Sequence, residues 1–178
     1  MRVISGKYKG KNLIGFNIDG TRPTMDRVKE SLFGIIQNYI KDSAVLDLFA
    51  GSGSLGIEAL SNGASSCYFF DNNIELVNII KKNTTGMNGV HIMKSDYKNS
   101  LELLRNSNIK FDIIFLDPPY KLNLINNCLD KINEYNLLNN NGIIVCEYED
   151  ENIDTDKFDL IKEKKYGTKN IKIYKCKI

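Results

Sequence analysis

The segment DLFAGSGSLG, residues 47–56, predicts the fold of this 178-residue chain. It carries three glycines in a G-x-G-x-x-G pattern between an apolar run, AVLDLF (44–49), and a helix-like stretch, IEALSNGA (57–64). Glycines at this spacing let a chain turn tightly from a strand into a helix and approach a ligand closely. The segment therefore predicts a strand–turn–helix unit that binds a nucleotide-like ligand.

Strand-like and helix-like segments alternate along the rest of the chain. Further strands are predicted at 66–71, 90–96, 111–116 and 142–148, and helices at 24–40, 74–84, 100–106 and 121–138. This alternation is typical of a parallel sheet with helices on both faces. The two ends of the chain show a different pattern. Residues 2–18 predict a short hairpin, and residues 19–24 predict a turn before a helix that is capped by Thr24. Residues 158–178 predict an antiparallel hairpin.

Polar residues near the glycine turn indicate which ligand it binds. Asp71 ends the next strand, where a carboxylate can accept hydrogen bonds from ribose hydroxyls; this fits a dinucleotide or S-adenosylmethionine. Asp47 favours S-adenosylmethionine, because a carboxylate there can hold the methionine ammonium directly or through water. Asp96 ends the third strand and either reaches the adenine amino group or serves only as a turn residue. The predicted cofactor-binding residues are Asp47, Phe49, Gly51, Ser52, Gly53, Asp71, Asn72 and Asp96.

The segment FLDPPYK, 115–121, contains two of the chain's three prolines and follows the fourth strand. Prolines fix φ and remove backbone donors, so this turn is stiff and presents the Asp117 carboxylate and the Pro118 carbonyl as acceptors. Two such acceptors can localise the lone pair of an exocyclic amino group for methyl transfer. Tyr120 offers a face for stacking the base, a contact worth about 1–3 kcal/mol. The predicted catalytic residues are Asp117, Pro118, Pro119 and Tyr120.

Composition indicates which class of protein and which kinds of site to expect. The chain is 42% hydrophobic and 26% charged, which is ordinary for a soluble globular protein. It has no apolar run near the about 20 residues of a membrane span, and its N-terminus lacks a signal-peptide pattern. Four widely spaced cysteines and a single histidine predict neither a metal site nor a disulfide framework, and they fit a reducing cytoplasm.

Basic residues are concentrated at one end of a chain whose net charge is only +2. Residues 1–41 hold eight Lys/Arg against three Asp/Glu. Such an arm suggests contact with a polyanion, and a solvated lysine-rich surface is the alternative.

Four segments together resemble the bacterial small-subunit rRNA guanine-N2 methyltransferases of the RsmD type. They are RVISGKYKGKNL (2–13), TRPTMDRVKESLF (21–33), DLFAGSGSLGIEALSNGA (47–64) and DPPY (117–120), and the second is the most specific. The resemblance implies an α/β, Rossmann-like class I S-adenosylmethionine-dependent methyltransferase fold. Its seven-stranded, mostly parallel sheet has an antiparallel last strand. It also implies one domain over 1–178, with an N-terminal hairpin extension at 1–20 and the catalytic core at 21–178.

The implied activity is methyl transfer from S-adenosylmethionine to N2 of a guanine in 16S rRNA, within an assembling small subunit. We expect a cytoplasmic protein, and a monomer is the default where the sequence does not settle the oligomeric state. Arg22, Arg27 and Lys29 are expected at the pocket mouth, where they pair with phosphate or with the cofactor carboxylate. Asp71 replaces the glutamate frequent at that place in the family. The predicted RNA-binding residues are Arg2, Lys7, Lys9, Lys11, Arg22 and Arg27.

Other functions remain open on the sequence. A DNA adenine-N6 or cytosine-N4 methyltransferase uses the same tetrapeptide but usually carries a separate target-recognition region. A glutamine-modifying protein methyltransferase more often has Asn in the place of Asp117. An NAD-linked oxidoreductase leaves DPPY unexplained, and a non-catalytic RNA-binding module is disfavoured by the intact Asp117 and Tyr120.

Overall fold

The computed structural model describes residues 1–15 and 23–177. Within them lie five α-helices and seven strands in an alternating order. The helices are α1 (Pro23–Ile36), α2 (Ser54–Ser61), α3 (Ile74–Asn83), α4 (Tyr97–Ser107) and α5 (Ile125–Glu134). The strands are β1 (Ala44–Asp47), β2 (Ser66–Asp71), β3 (Val90–Lys94), β4 (Phe111–Leu116), β5 (Leu138–Tyr148), β6 (Phe158–Tyr166) and β7 (Lys169–Cys176). None of the helices described here is long and apolar enough to cross a membrane.

All seven strands form one sheet in the order β3-β2-β1-β4-β5-β7-β6. Strands β1 to β5 pair in parallel, and β7 inserts antiparallel between β5 and β6. This confirms the predicted α/β fold with a mostly parallel sheet and an antiparallel last strand. The strand order reverses between β1 and β4, and ligands of open α/β sheets bind beyond the carboxyl ends of the strands at such a switch point. Both sequence motifs follow these two strands.

Each face of the sheet supports its own core. Alternate residues of a strand point to opposite faces, so the continuous apolar run of β4 is explained by burial on both sides. One core includes Val45, Ile113, Phe115 and Val145 of the sheet with Leu32 and Phe33 of α1. The other includes Leu46, Ile114, Leu116 and Ile144 with Leu101 of α4 and Leu129 of α5.

The N-terminal segment forms a hairpin-like loop with a single isolated bridge between Arg2 and Asn12. The predicted hairpin is therefore present in the described part of 2–18, but it is short: the Val3 N–H donates to the Lys11 carbonyl and the Leu13 N–H to the Met1 carbonyl, each at 2.9 Å. Near its tip the Lys7 N–H donates to the Ser61 carbonyl, 2.8 Å away. Gly6 has φ +83°, and a Cβ on it would lie 2.0 Å from the same carbonyl oxygen. This loop is fixed against α2. The predicted turn over 19–22 lies outside the described residues.

Helix ends differ from the predicted ones where the chain adopts left-handed backbone or finds a cap. Helix α2 begins at Ser54, three residues before the predicted start, because Gly53 with φ +85° forms its N-cap. Helix α4 begins at Tyr97 because the Asp96 side chain accepts a hydrogen bond from the Asn99 N–H. Helix α5 is shorter than the predicted 121–138, since Lys121 and Asn123 have positive φ.

Candidate active site

The glycine turn is closed by hydrogen bonds within the protein. Gly51 and Gly53 have φ of +57° and +85°, values that an L side chain rarely adopts. The Gly51 N–H donates to Asp71 Oδ2 at 2.9 Å, and the Gly53 N–H donates to the Ala50 carbonyl at 2.8 Å. Asp71 Oδ1 also accepts from the Asn73 N–H at 3.0 Å. Asp71 therefore joins the turn to the end of β2, and these two glycine amides are already in use.

Asp47 is buried beneath the turn, with only 1% of its surface exposed. Its Oδ2 accepts a hydrogen bond from the Gly56 N–H at 3.1 Å. Burial raises the pKa of the Asp47 carboxyl to about 7; the Gly56 hydrogen bond opposes the rise and the nearby Asp71 adds to it. A Cβ on Gly56 would lie 2.4 Å from the Phe69 ring, so this glycine lets helix and sheet approach closely. The arrangement leaves a buried carboxylate in need of a cationic partner.

The DPPY corner starts one residue beyond β4. Leu116 pairs with Cys146 of β5, so Asp117 lies level with Glu147 and on the sheet face that carries Asp47. Burial is the largest cause that raises the pKa of the Asp117 carboxyl well above its ordinary value; Glu147 adds to it and Lys169 opposes it. Within residues 1–15 and 23–177 no hydrogen bond to this carboxylate is present.

Pro118, Pro119 and Tyr120 complete this corner. Pro118 is buried, Pro119 is exposed, and the Tyr120 side chain is 40% exposed at the mouth of the cleft. The exposed ring offers the flat face that base stacking requires.

Both motifs open into one cleft of about 1150 Å³. Eleven of the twelve predicted catalytic and cofactor residues line it. They are Asp47, Phe49, Gly51, Ser52, Asp71, Asn72, Asp96, Asp117, Pro118, Pro119 and Tyr120. Gly53 does not line it, because its amide is turned inward to Ala50. The cleft is long enough to join the glycine turn to the DPPY corner.

Asp96 and Phe49 form the far wall of the cleft. Both carboxylate oxygens of Asp96 accept hydrogen bonds from Asn99, from its backbone N–H and its side-chain amide, each at 2.8 Å. The Phe49 ring packs at a tilt against Tyr97, with ring centroids 5.7 Å apart. Asp96 therefore caps α4 and also borders the cleft, so the two interpretations of this residue are compatible.

The predicted RNA-binding residues are spread over an exposed surface. Arg2, Lys7, Lys9 and Arg27 are exposed, and Lys11 is partly exposed. Arg22 lies outside the described residues. Arg2 Nε approaches Asp26 Oδ2 at 3.8 Å, which ties the N-terminal loop to α1.

Lys29 is buried, with 5% of its surface exposed, and not available at the pocket mouth as the sequence suggested. Its Nζ donates to the Arg2 carbonyl at 2.7 Å and to Ser54 Oγ at 3.0 Å, and it lies 3.2 Å from Glu58 Oε1. Burial lowers the pKa of this ammonium, against the opposing effect of Glu58. Lys29 lines the cleft, but its ammonium already has three partners within the protein.

Two residues of the cleft wall were missed in the sequence. Glu147 on β5 is 7% exposed, and its Oε1 lies 2.9 Å from Lys169 Nζ at the start of β7. Burial lowers the pKa of the Lys169 ammonium, but Glu147 outweighs it and the pKa is raised. A carboxylate within the apolar run GIIVCEY was the available signal. Its position beside Asp117 depends on strand register, which the sequence does not give.

Comparison with known proteins agrees with this geometry. The family model described as "Conserved hypothetical protein 95" matches residues 1–175. Bacillus subtilis YlbH is 39% identical over 98% of each chain. Ribosomal RNA small subunit methyltransferase D of Haemophilus influenzae is 37% identical, covering 98% of this chain and 93% of its own. The solved structure of Escherichia coli yhhF superposes with a TM-score of 0.84 at 29% identity, covering 99% and 98% of the two chains.

The match over nearly the whole chain confirms the resemblance inferred from the four sequence segments. The chain belongs to the conserved hypothetical protein 95 family, the methyltransferase family of the RsmD type.

Proposed function

We propose that this protein transfers a methyl group from S-adenosylmethionine to the N2 amino group of a guanine in small-subunit rRNA. One observation carries the proposal. Asp47 ends β1, Asp117 follows the neighbouring strand β4 on the same face of the sheet, and both residues line one cleft. A cofactor held at Asp47 and a base held at Asp117 would then meet within that cleft. The names of the Haemophilus influenzae and Escherichia coli relatives support the same substrate class.

The residues of the glycine-turn end fit S-adenosylmethionine better than a dinucleotide. A pyrophosphate needs free backbone N–H groups, but those of Gly51 and Gly53 are bonded to Asp71 and Ala50. The carboxylates that line this end suit a ligand with an ammonium, a sulfonium and a ribose. Asp47 would hold the ammonium and Asp71 the ribose, with Asp96 near the adenine. When bound, this cofactor supplies an electrophilic methyl group.

The DPPY corner would hold the amino group that accepts the methyl. The Asp117 carboxylate and the Pro118 carbonyl accept hydrogen bonds from its two N–H groups. These bonds orient the nitrogen and concentrate its lone pair toward the methyl carbon. The same carboxylate is placed to take the proton that the methylated nitrogen then loses, since that nitrogen is strongly acidic after the transfer. Tyr120 stacks on the base, which must be unpaired or flipped out to reach the corner.

The basic N-terminal loop would bind the RNA backbone outside the cleft. Arg2, Lys7, Lys9 and Arg27 expose their side chains, as phosphate contacts require. Such contacts position the RNA, weaken with salt, and carry little sequence information. The guanine is then selected by the cleft and by the shape of the surrounding rRNA.

Labelled methyl transfer tests the proposal. The purified protein is incubated with tritiated S-adenosylmethionine and either small subunits from cells that lack this protein or duplex DNA. We expect label in 16S rRNA, recovered as N2-methylguanosine after digestion, and none in DNA. Thermal stabilisation by S-adenosylmethionine but not by NAD is the accompanying control. Label only in DNA, or stabilisation by NAD alone, contradicts the proposal.

A further inference from the structure

Three side chains form a row along the rim of the sheet beside the DPPY corner. Asp117 follows β4, Glu147 lies level with it on β5, and Glu147 pairs with Ile171 of β7. Lys169 lies two residues from Ile171 and so points to the same face. Neighbouring strands are about 4.8 Å apart, which sets the step from Asp117 to Glu147. Lys169 reaches Glu147 diagonally across the β5–β7 pair at 2.9 Å, so the order along the row is carboxylate, carboxylate, ammonium.

The row faces the cleft and not the solvent. Glu147 is buried to nine-tenths of its surface, yet it lines the cleft together with Asp117 and Lys169. Its contact with Lys169 uses one carboxylate oxygen, Oε1, at 2.9 Å. In the described part of the chain its other oxygen has no hydrogen-bond partner, and an ammonium carries two further donors. An ion pair in the cleft wall, with Glu147 buried and Lys169 partly exposed, therefore still has hydrogen-bonding capacity for a ligand.

The order of this row is complementary to one edge of guanine. Along the Watson–Crick edge guanine presents an N2 donor, an N1 donor and an O6 acceptor, and the row presents two acceptors followed by a donor. We propose that Glu147 accepts the N1–H of the target guanine and Lys169 donates to its O6, while Asp117 holds the N2 amino group. This inference rests on the proposed function and identifies Glu147 and Lys169 as the residues that specify guanine.

The same row rejects the other bases that carry an exocyclic amino group. With the amino group of adenine or cytosine at Asp117, the next ring atom is an unprotonated nitrogen, which presents a lone pair to the Glu147 carboxylate. A site built to accept a hydrogen bond from a base discriminates strongly against an analogue that lacks the donor, because a buried polar group of the site is then left unpaired. The row therefore also argues against adenine-N6 and cytosine-N4 methylation.

Variants of Lys169 test the O6 contact. With tritiated S-adenosylmethionine and unmodified small subunits, we expect Lys169→Met to lower kcat/KM about tenfold to a hundredfold, the range for hydrogen bonds to charged groups. Lys169→Arg retains a donor and restores most of the rate. The matched control is Lys172→Met, on the same strand but on the opposite face, where Lys172 lies over the Tyr148 ring. Cofactor affinity should be the same in Lys169→Met and Lys172→Met. The melting temperature should fall in Lys169→Met, because the buried Glu147 loses its ammonium partner, so the rates are compared at a temperature where both variants are folded.

A change in the base separates recognition from a structural role. Once the methylated nucleotide is mapped, subunits are assembled with guanosine or 6-thioguanosine there; the thio-base keeps both donors but replaces O6 with a weak acceptor. We expect this replacement to slow the wild type about tenfold and to slow Lys169→Met no further. An equal penalty in both proteins, or equal rates of Lys169→Met and Lys172→Met on guanosine, overturns the inference and leaves the proposed function standing. Wild-type label in a nucleoside other than N2-methylguanosine overturns both.

Discussion

The glycine turn and the DPPY corner both line one cleft, but they differ in the hydrogen bonds that their carboxylates accept within the protein. At the turn, Asp47 and Asp71 each accept hydrogen bonds from backbone N–H groups. At the corner, the Asp117 carboxylate has no such partner in the described residues, although burial raises its pKa strongly. The backbone N–H groups of Gly51 and Gly53 are in use before any ligand arrives, and Asp47 still lacks a cationic partner, whereas the corner keeps its acceptors available for a ligand.

This difference has an energetic meaning. A polar group that is buried without a partner costs about 1–3 kcal/mol, whereas one that is open to a cleft can bond to water. The backbone N–H groups of Gly51 and Gly53 are bonded within the protein, and the turn also offers a surface to a cofactor. The Asp117 carboxylate is partly exposed to the cleft, so a bound amino group would take the place of water as its hydrogen-bond donor.

Replacement of Asp117 tests the comparison most severely. We expect Asp117→Ala to lower the methyl-transfer rate about 1000-fold, because a preorganised acceptor beside the reacting nitrogen is lost. Cofactor affinity should stay within about threefold of the wild type, and the melting temperature should change little, since the Asp117 side chain is partly exposed and its carboxylate accepts no hydrogen bond within the described residues. Single-turnover labelling and calorimetry measure both, with the exposed Asp130→Ala as control. A rate equal to that of the control contradicts the proposed role.

Replacement of Glu58 tests a region whose buried polar groups are already paired within the protein. Glu58→Ala leaves the buried Lys29 ammonium without its carboxylate and should lower the free energy of unfolding by about 3 kcal/mol. This value is the lower limit of the expected loss. The Arg2 carbonyl and the Ser54 hydroxyl still accept hydrogen bonds from Lys29, but the Ile4 and Ser5 N–H groups lose the carboxylate that accepts from them. Urea unfolding measures the change, with the exposed Glu30→Ala as control. Equal stability of the two variants would contradict the buried-pair account.

The pH dependence of cofactor affinity tests Asp47. Its pKa of about 7 means that the free protein holds a proton there at lower pH. A cationic ligand binds the ionised form, so affinity for S-adenosylmethionine should fall about tenfold per pH unit below 7 and level off above it. Asp47→Asn should bind weakly at all pH values, while Asp117→Asn should keep the slope. Calorimetry between pH 5.5 and 8.5, values chosen about 1.5 units on either side of 7, measures this, and a flat wild-type profile contradicts it.

Tyr120 is expected to give the smallest effects. Because the ring stacks and its hydroxyl takes no part in the transfer, Tyr120→Phe should retain the rate within about threefold. Tyr120→Ala should lose about tenfold, the lower range for loss of one stacking contact. Labelling of small subunits under subsaturating conditions compares the two. Equal losses in both variants would assign the effect to the hydroxyl and contradict stacking.

The sequence predicted best where local pattern and burial agree. Strands β2 and β4 occupy the predicted residues 66–71 and 111–116, because each is a short apolar run bounded by turns. Helix ends were less accurate at α2 and α5, where positive φ at Gly53 and Asn123 decides the boundary. Those backbone angles follow from packing and hydrogen bonding that a linear pattern does not contain.

The residues of the candidate site were likewise predicted where a local pattern defines them, and not where a distant contact does. The two motifs were found because each carries residues that a turn and a strand end require locally, and both line the cleft. Lys29, Glu147 and Lys169 were misassigned or missed, since their partners lie on other elements. Contacts between distant segments depend on register and topology.

By itself the sequence determined the alternation of strands and helices, the family, and the two motifs, because period, turn chemistry and motif spacing act over a few neighbouring residues. Only the tertiary structure decided that Glu147 and Lys169 stand beside Asp117 and that Lys29 is paired with Glu58. Strand order and register bring residues that are far apart in the chain within a few ångströms.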